Sequence, residues 1–475
     1  MANSYELESS PIWMDVKKII GSGKKPVKFE YRGQLHTEKQ DITVLKIKSL
    51  DVVRDYWRKI GDLVEIMFQM PLGDYMNLLY PFRTNLEFSI KRIELTEGST
   101  EKEPNSKVYV ERYKAVFLVD KNPVPATADL EQYDNESLNN ADIVDVRLQL
   151  VDRSLEPLRI KTAFGVFRDV TQKQVIRTVL GGESAKVLVD GKPSIDGINI
   201  VEPDNLEEKD HIIFRNGVSV LSVPTYLQEE MGGVYSTGIG TYLQRYKEKR
   251  LWFVYPVYDT KRFDKTPDDK LIVYALPQDK YPGLDRTYNK DGAVVMVVAT
   301  SGRRYQDSAD VDFMNKGVGF RMAEARSFMK KPVVLKEGEG AKGVRVKLNH
   351  ESGTEDREDG LNYAPTVETS ANPFTEYSRV LGMQVAQVDF LWENSNPELL
   401  YPGMPVKYVF LDNNKPVELK GTVVFVHTLT ALQAQGTNSN VYKNISTVTL
   451  LVEQVSVEAK FKNRPLPPAK PYAKF

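Results

Sequence analysis

The chain contains no cysteine, which excludes disulfides, thiolate metal sites and a cysteine nucleophile together. Its four histidines, His36, His211, His350 and His427, are scattered with neither ligand nor triad spacing. His350-Glu351 is followed by Ser352, Gly353 and Thr354, so the second histidine of a zinc-protease helix is missing. Charge of one sign is lacking too: 64 Lys plus Arg face 65 Asp plus Glu, so no overall field draws nucleic acid or an anionic membrane, and any such contact is local. The longest apolar run, 293–299, is about a third of a membrane span. Residues 1–15 lack the basic flank and apolar core of a secretory signal, so cytoplasmic synthesis is expected.

Motifs of catalysis are equally scarce. Gly21-Ser22-Gly23-Lys24-Lys25 lacks the upstream glycine and following hydroxyl of a phosphate loop, Gly238-Ile239-Gly240 lacks the third glycine of a dinucleotide fingerprint, and no Gly-x-Ser-x-Gly elbow occurs. The acidic cluster Glu355, Asp356, Glu358, Asp359 does not keep the alternate spacing of a calcium loop and reads as solvated. Paired carboxylates for glycoside hydrolysis stay open, because 65 acids always offer pairs. The expectation is a non-enzyme with no catalytic residues, no cofactor and no metal.

What is present is a repeat. Leu-Leu-Tyr-Pro occurs at residues 78–81 and again at 399–402, each time between alternating strand patterns. Val64, Ile66 and Phe68 precede the first copy and Leu86, Phe88 and Ile90 follow it; Val388, Phe390 and Trp392 precede the second and Val406, Tyr408 and Phe410 follow. The expected fold is mainly β (α+β): two similar tube-like β-barrel domains with a mixed α/β insertion and extended terminal arms.

Along the chain, residues 1–40 read as a polar arm anchored by Trp13, Ile19 and Ile20, and 41–125 as the first tube-like domain. Leu50, Val53, Trp57 and Ile60 predict a short helix from Ser49 to Gly61. Residues 126–140 form a linker. The alternating stretch within 141–164 is a strand that could complete the second domain, which would make 165–375 an insertion. The insertion carries a helix capped by Thr171 and ended by Gly181-Gly182, and another from Pro224 to Met231 stopped by Gly232. A further helix is expected near 320–330 and a long mobile loop over 336–375. Residues 376–460 are the second tube-like domain, and 461–475, with Pro465, Pro467, Pro468 and Pro471, an extended polyproline-like arm.

The segment 226–242, Tyr-Leu-Gln-Glu-Glu-Met-Gly-Gly-Val-Tyr-Ser-Thr-Gly-Ile-Gly-Thr-Tyr, followed by Leu-Trp-Phe-Val-Tyr-Pro-Val-Tyr at 251–258, resembles the central baseplate hub proteins of contractile-tailed, T-even-type bacteriophages. Residues 158–171, Leu-Arg-Ile-Lys-Thr-Ala-Phe-Gly-Val-Phe-Arg-Asp-Val-Thr, fit the same family. The resemblance covers roughly 140–260, and elsewhere rests on layout. It implies a virion protein and a homotrimer whose duplicated domains form a pseudo-sixfold ring. Such a ring joins a hexameric tail tube to a trimeric cell-puncturing spike, with wedge or tape-measure proteins as further partners. DNA would pass through a lumen that avoids clustered Lys and Arg, without specific binding and without a membrane.

On this reading the residues that matter are structural or at interfaces. They are Leu78, Tyr80, Pro81, Tyr401 and Pro402 in the repeats; Gly232, Gly233, Gly238 and Gly240 at turns; Tyr235, Tyr242, Trp252 and Tyr255, which offer large buried area with polar tips; and Pro465 and Pro467 in the arm. Turn glycines and aromatics of an ordinary core are the simpler account of the same residues. Two other functions compete. A carbohydrate-active enzyme would show aromatic residues lining a cleft around two carboxylates. A receptor-binding module would show an exposed aromatic patch.

Overall fold

The computed structural model describes residues 11–21, 28–95, 107–122, 143–215, 217–235, 237–276, 286–290, 294–299, 304–306, 320–321, 362–363, 385–412, 415–432 and 441–453. The fold is mainly β. The first seven strands are β1 (Lys28–His36), β2 (Asp41–Thr43), β3 (Lys46–Asp55), β4 (Leu63–Pro71), β5 (Leu86–Leu95), β6 (Lys107–Phe117) and β7 (Ile143–Asp152). β4 pairs with β7, β7 with β6 and β6 with β5, all antiparallel, so four strands made in the order β4, β5, β6, β7 stand side by side as β4-β7-β6-β5. That is Greek-key order.

The second unit repeats it. Its strands are Val385–Glu393, Pro405–Asp412, Lys415–Leu432 and Val441–Glu453. The first pairs with the fourth, the fourth with the third and the third with the second, again all antiparallel. Each Leu-Leu-Tyr-Pro lies on the connection between first and second strand, and its second leucine, Leu79 or Leu400, is fully buried in the core of its own unit. The tetrapeptide is a plug that carries the chain across one end of the strands.

The two units share their last hairpin. Residues 415–422 pair with 405–412 in the second unit, the register shifts between Val423 and Phe425, and residues 425–431 then pair with β3 of the first. On the other arm, 445–453 pair with 385–393, while Val441 and Tyr442 pair with β1. At 18 residues, the longer strand spans about 60 Å, enough to serve two barrels in turn. The first unit thereby closes into a continuous ring, β3-β4-β7-β6-β5-β1 and the hairpin.

Several expectations change. The strand of 143–152 completes the first unit, not the second, because it returns beside β6, its neighbour in sequence. Residues 28–36, expected in the arm, form β1 of the first barrel, and residues 11–21 form a helix, not an extended arm. Ile12, Val16 and Ile19 of that helix pack on Ile272, Val298 and Val409, the outer face of the second barrel. No helix forms over 49–61: β3 runs to Asp55, whose carboxylate accepts from the Trp57 and Arg58 N–H groups and closes a turn instead. Residues 270–275, 286–290 and 294–299, expected in the insertion, are strands of the second unit.

The middle unit holds a ribbon of Val166–Val170 against Lys209–Ile213 and a three-stranded sheet of Gly197–Ile200, Lys249–Pro256 and Ile239–Tyr246. Its first helix opens on a capping box of Thr171 and Gln174. It continues through Gly181 and Gly182 to Ser184, because both glycines keep right-handed helical angles. The second helix, Val223–Glu230, does end before Gly232, at φ +90. The helix near 320–330, the loop of 336–375, the acidic cluster at 355–359 and the C-terminal arm lie outside the described residues, apart from short strands at 320–321 and 362–363.

Candidate functional site: the junction of the three units

β3 carries Arg54 to the point where both barrels and the middle unit meet, and there its side chain is 8% exposed. Nε donates to Asp62 Oδ2 at 3.0 Å, Nη2 to Glu398 Oε1 at 2.7 Å and Nη1 to the Pro397 carbonyl at 3.3 Å. Glu398, which immediately precedes the second Leu-Leu-Tyr-Pro, also receives Arg92 of β5 at 3.2 Å. Asp62 accepts from the Tyr242 hydroxyl of the middle sheet at 2.9 Å. Two arginines of the first unit thus grip an acid of the second, and an acid of the first grips the middle.

The electrostatics follow from the count of partners. Burial favours the neutral form of Glu398, but two guanidinium groups outweigh it and hold the carboxyl down at about 2. Asp62 has one guanidinium, so burial prevails and its pKa rises. Arg54 loses to burial less than it gains from the two acids and stays firmly protonated. Such a network is costly to break, since removing one partner strands a desolvated charge.

Beside it, the Tyr255 hydroxyl donates to the Tyr56 carbonyl, and Tyr56 meets Tyr242 edge-on at 4.9 Å between centroids. The Tyr255 ring is clamped between two glycines. A Cβ on Gly403 would lie 2.2 Å from Tyr255 Cδ2, and one on Gly240 2.5 Å from Cε2. Gly403 also has φ +70, so the residue after the second repeat must be glycine on both counts.

The middle sheet and second unit enclose a cleft of about 500 Å³ lined by Tyr246, Phe253, Tyr401, Pro402, Arg262 and Asp269, among others. Phe253 stacks on Tyr401 at 5.5 Å, and Tyr401 donates to the Asp269 carbonyl at 2.9 Å. Asp268 and Asp269 are its carboxylates, adjacent in sequence on one wall. Asp269 Oδ1 already accepts from Tyr246 at 2.9 Å and Lys247 at 2.6 Å. Opposed acids that would flank a glycosidic bond are not formed by this pair.

The residues singled out in the sequence fall into separate places. Gly240, Tyr242, Tyr255, Tyr401 and Pro402 converge on the junction and cleft. Leu78, Tyr80 and Pro81 cap the first barrel, where Tyr80 meets Phe117 edge-on and Arg83 lies 4.3 Å over its ring. Gly232 and Gly233, both at positive φ, shape the turn that Gln228 ties down through Val234 and Tyr235, and Gly238, also at positive φ, immediately precedes the next strand. Trp252 donates to Ser184 at 2.8 Å, and Tyr235 to the Val201 and Val254 carbonyls. Tyr235, Tyr242, Trp252 and Tyr255 are almost fully buried with their polar tips satisfied inside the chain. Pro465 and Pro467 lie outside the described residues.

Arg54, Asp62, Arg92 and Glu398 were not singled out by sequence. The only signal was an arginine within the apolar alternation of β3. Among the described residues no cluster of His, Asp and Glu could hold a metal ion, and no helix is long and apolar enough to cross a membrane.

No family model and no curated protein matches the chain. Among solved structures it is similar to a tail protein from Neisseria meningitidis MC58, at 8% identity and TM-score 0.43 over 89% of this chain and 96% of that one. It is also similar to the 43 kDa tail protein of prophage MuSo2 from Shewanella oneidensis, at 10% identity and TM-score 0.44 over 88% and 96%. A third is an E. coli component of the type VI secretion system, described as structurally similar to the T4 tail proteins gp27 and gp5, at 10% identity and TM-score 0.41 over 89% and 77%. The structural neighbours are thus tail proteins and a secretion-system counterpart.

Proposed function

We propose that this chain is a structural, non-enzymatic hub of a phage tail baseplate. Three copies form a ring of six similar Greek-key units, which stacks on a hexameric tail tube and holds a trimeric spike. The observation that supports this most is internal: one strand order, β4-β7-β6-β5, recurs in the same chain with its own Leu-Leu-Tyr-Pro plug. A trimer of duplicated chains has true threefold and approximate sixfold symmetry at once, which is what a joint between hexamer and trimer needs. The shared hairpin and the Arg54–Glu398 lock keep the two units of one chain in fixed relation, so the ring keeps its shape under load. DNA passes through its lumen, and wedge or tape-measure proteins attach outside. Its place is the virion tail.

Light scattering of the purified chain, alone and with tube and spike proteins, tests this together with negative-stain averages. A trimeric ring with six lobes around a hole is expected. A chain that stays monomeric with both partners overturns it. The aromatic cleft keeps glycan binding as a second reading, and co-sedimentation of the purified chain with peptidoglycan would favour that instead.

A further inference from the structure

The most exposed large apolar side chains of the described residues are Ile160 and Phe164, each 85% exposed, with Val166 at 56% and Ile213 at 53%. They belong to one place. Val166 and Ile213 are direct cross-strand partners at one end of the middle unit's ribbon, so their side chains share a face, and Ile160 and Phe164 lie on the loop that leads into it. The loop is pinned from beneath: Ala163 N–H donates to the Val218 carbonyl at 2.7 Å and Thr162 bridges to Ser219. Gly165, at φ +125, then turns the chain outward. A fixed backbone that presents Phe and Ile to water is the mark of a contact surface. Arg159 and Arg168, both exposed, flank it.

The opposite end of the same ribbon has the complementary character. The chain enters it through Leu206, 61% exposed, beside the exposed acids Glu207 and Glu208, of which Glu207 pairs with Lys209 and Glu208 is left facing water. Asn205 anchors this loop by donating to the Gly232 and Gly233 carbonyls at 3.1 and 2.8 Å. The registers Ile213↔Val166 and Lys209↔Val170 put the two ends four residues apart, about 13 Å along the ribbon. An apolar tip with a basic rim and an apolar loop with an acidic rim therefore cannot meet within one chain. They can meet between two.

We infer that the middle unit carries a head-to-tail self-association contact, in which the Phe164 tip of one copy docks on the Leu206 loop of the next copy. It rests on the self-assembling ring proposed above and adds to it the surface that closes the ring. A contact between two different patches is heterologous, and it closes only when the rotation between copies completes a circle.

The absence of cysteine gives a direct test. The full chain with Phe164→Cys and Leu206→Cys is oxidised, alone and with tube and spike proteins, and run without reductant. Covalent trimer is expected, with monomer only from either single variant. Separately, Arg159→Glu should weaken association by about tenfold or more in light scattering, and adding Glu208→Arg to the same chain should restore it. Uncrosslinked monomer from a preparation that scatters as a trimer overturns this contact and leaves the ring standing. Charge-reversed chains that assemble normally, or that are not rescued by the second reversal while remaining folded by circular dichroism, overturn it as well. A wild-type chain that is monomeric in every mixture removes both the contact and the ring.

Discussion

In the first unit both flanks of the Greek-key core are antiparallel, β1 against β5 and β3 against β4. In the second, the 405–412 strand is flanked by 270–275 in parallel, and that strand by 294–299, again in parallel. The first ring closes by backbone pairing throughout; among the described residues the second brings 286–290 to 385–393 through a side chain, Trp392 donating to Thr287 at 2.7 Å. The difference follows from where the strands come from. The first unit takes its flanks from the stretch that precedes its core, by short returns. The second takes them from a chain arriving out of the middle unit, and a parallel neighbour needs such a crossover. What was kept between the copies is the four-strand order and its plug; what changed is everything hydrogen-bonded outside it.

The units also exchange elements. The N-terminal helix, adjacent in sequence to the first barrel, covers the second, while the final hairpin, built on the second, closes the first. Neither barrel is complete without chain from the other's end of the sequence. The largest expected effect tests this directly. A Cβ on Gly421 would lie 1.9 Å from the Leu451 carbonyl oxygen, a backbone atom that cannot move aside without parting the hairpin. Gly421→Ala is expected to cost several times the ~1 kcal/mol of an average substitution and to unfold both units together in a denaturant titration. A variant whose first unit keeps its own cooperative transition would show that the barrels are independent.

Next in size is the lock. Glu398→Ala leaves Arg54 and Arg92 buried without their shared acid and should cost about 3–5 kcal/mol, read as a lower denaturation midpoint. Acid should act in the same direction and more gradually. Glu398 is held below its usual 4.5, so its stabilisation is complete above about pH 4.5 and is lost as pH falls through about 2. Asp62, whose pKa is raised, works oppositely: protonating it relieves a burial cost, so it offsets part of the loss. The wild type should therefore lose stability between pH 4.5 and 2 more steeply than Glu398→Gln. Equal slopes would mean that the network does not couple the units.

The period-two stretches at 64–70, 86–90, 144–150, 388–392 and 406–410 all became strands, because alternation reports a half-buried face directly. Alternation carries no information about which strand lies alongside, so the pattern at 143–152 leaves the second barrel open, and only its pairing with β4 and β6 places it in the first. The helix expected over 49–61 shows the reverse weakness: Leu50, Val53, Trp57 and Ile60 fit a helical stripe, but Val52 and Val53 are β-branched and both edges of β3 find partners. Pairing across the barrel outweighed a local spacing. At the site, Tyr255 and Gly240 were legible as aromatic and turn residues, while their clamp with Gly403 was not, since it joins positions 163 and 148 residues apart. The Arg54–Glu398 pair, 344 residues apart, was invisible for the same reason.

The smallest predicted effect separates the barrels most finely. Val16, fully buried, lies in the helix on the second barrel's outer face, beside Ile272 and Val298 and far from the first barrel's core. Val16→Ala removes two methyl groups there and should cost about 1–2 kcal/mol. That is too little to unfold the chain but enough to raise local opening by a factor of about 5–30. Amide exchange at 270–275 and 294–299 should therefore accelerate by that factor, while β4 to β7 exchange at the wild-type rate. Should β4 to β7 accelerate equally, the shared hairpin would be passing every opening from one barrel to the other. The two units would then be a single cooperative block whose different flanks have no separate energetic meaning.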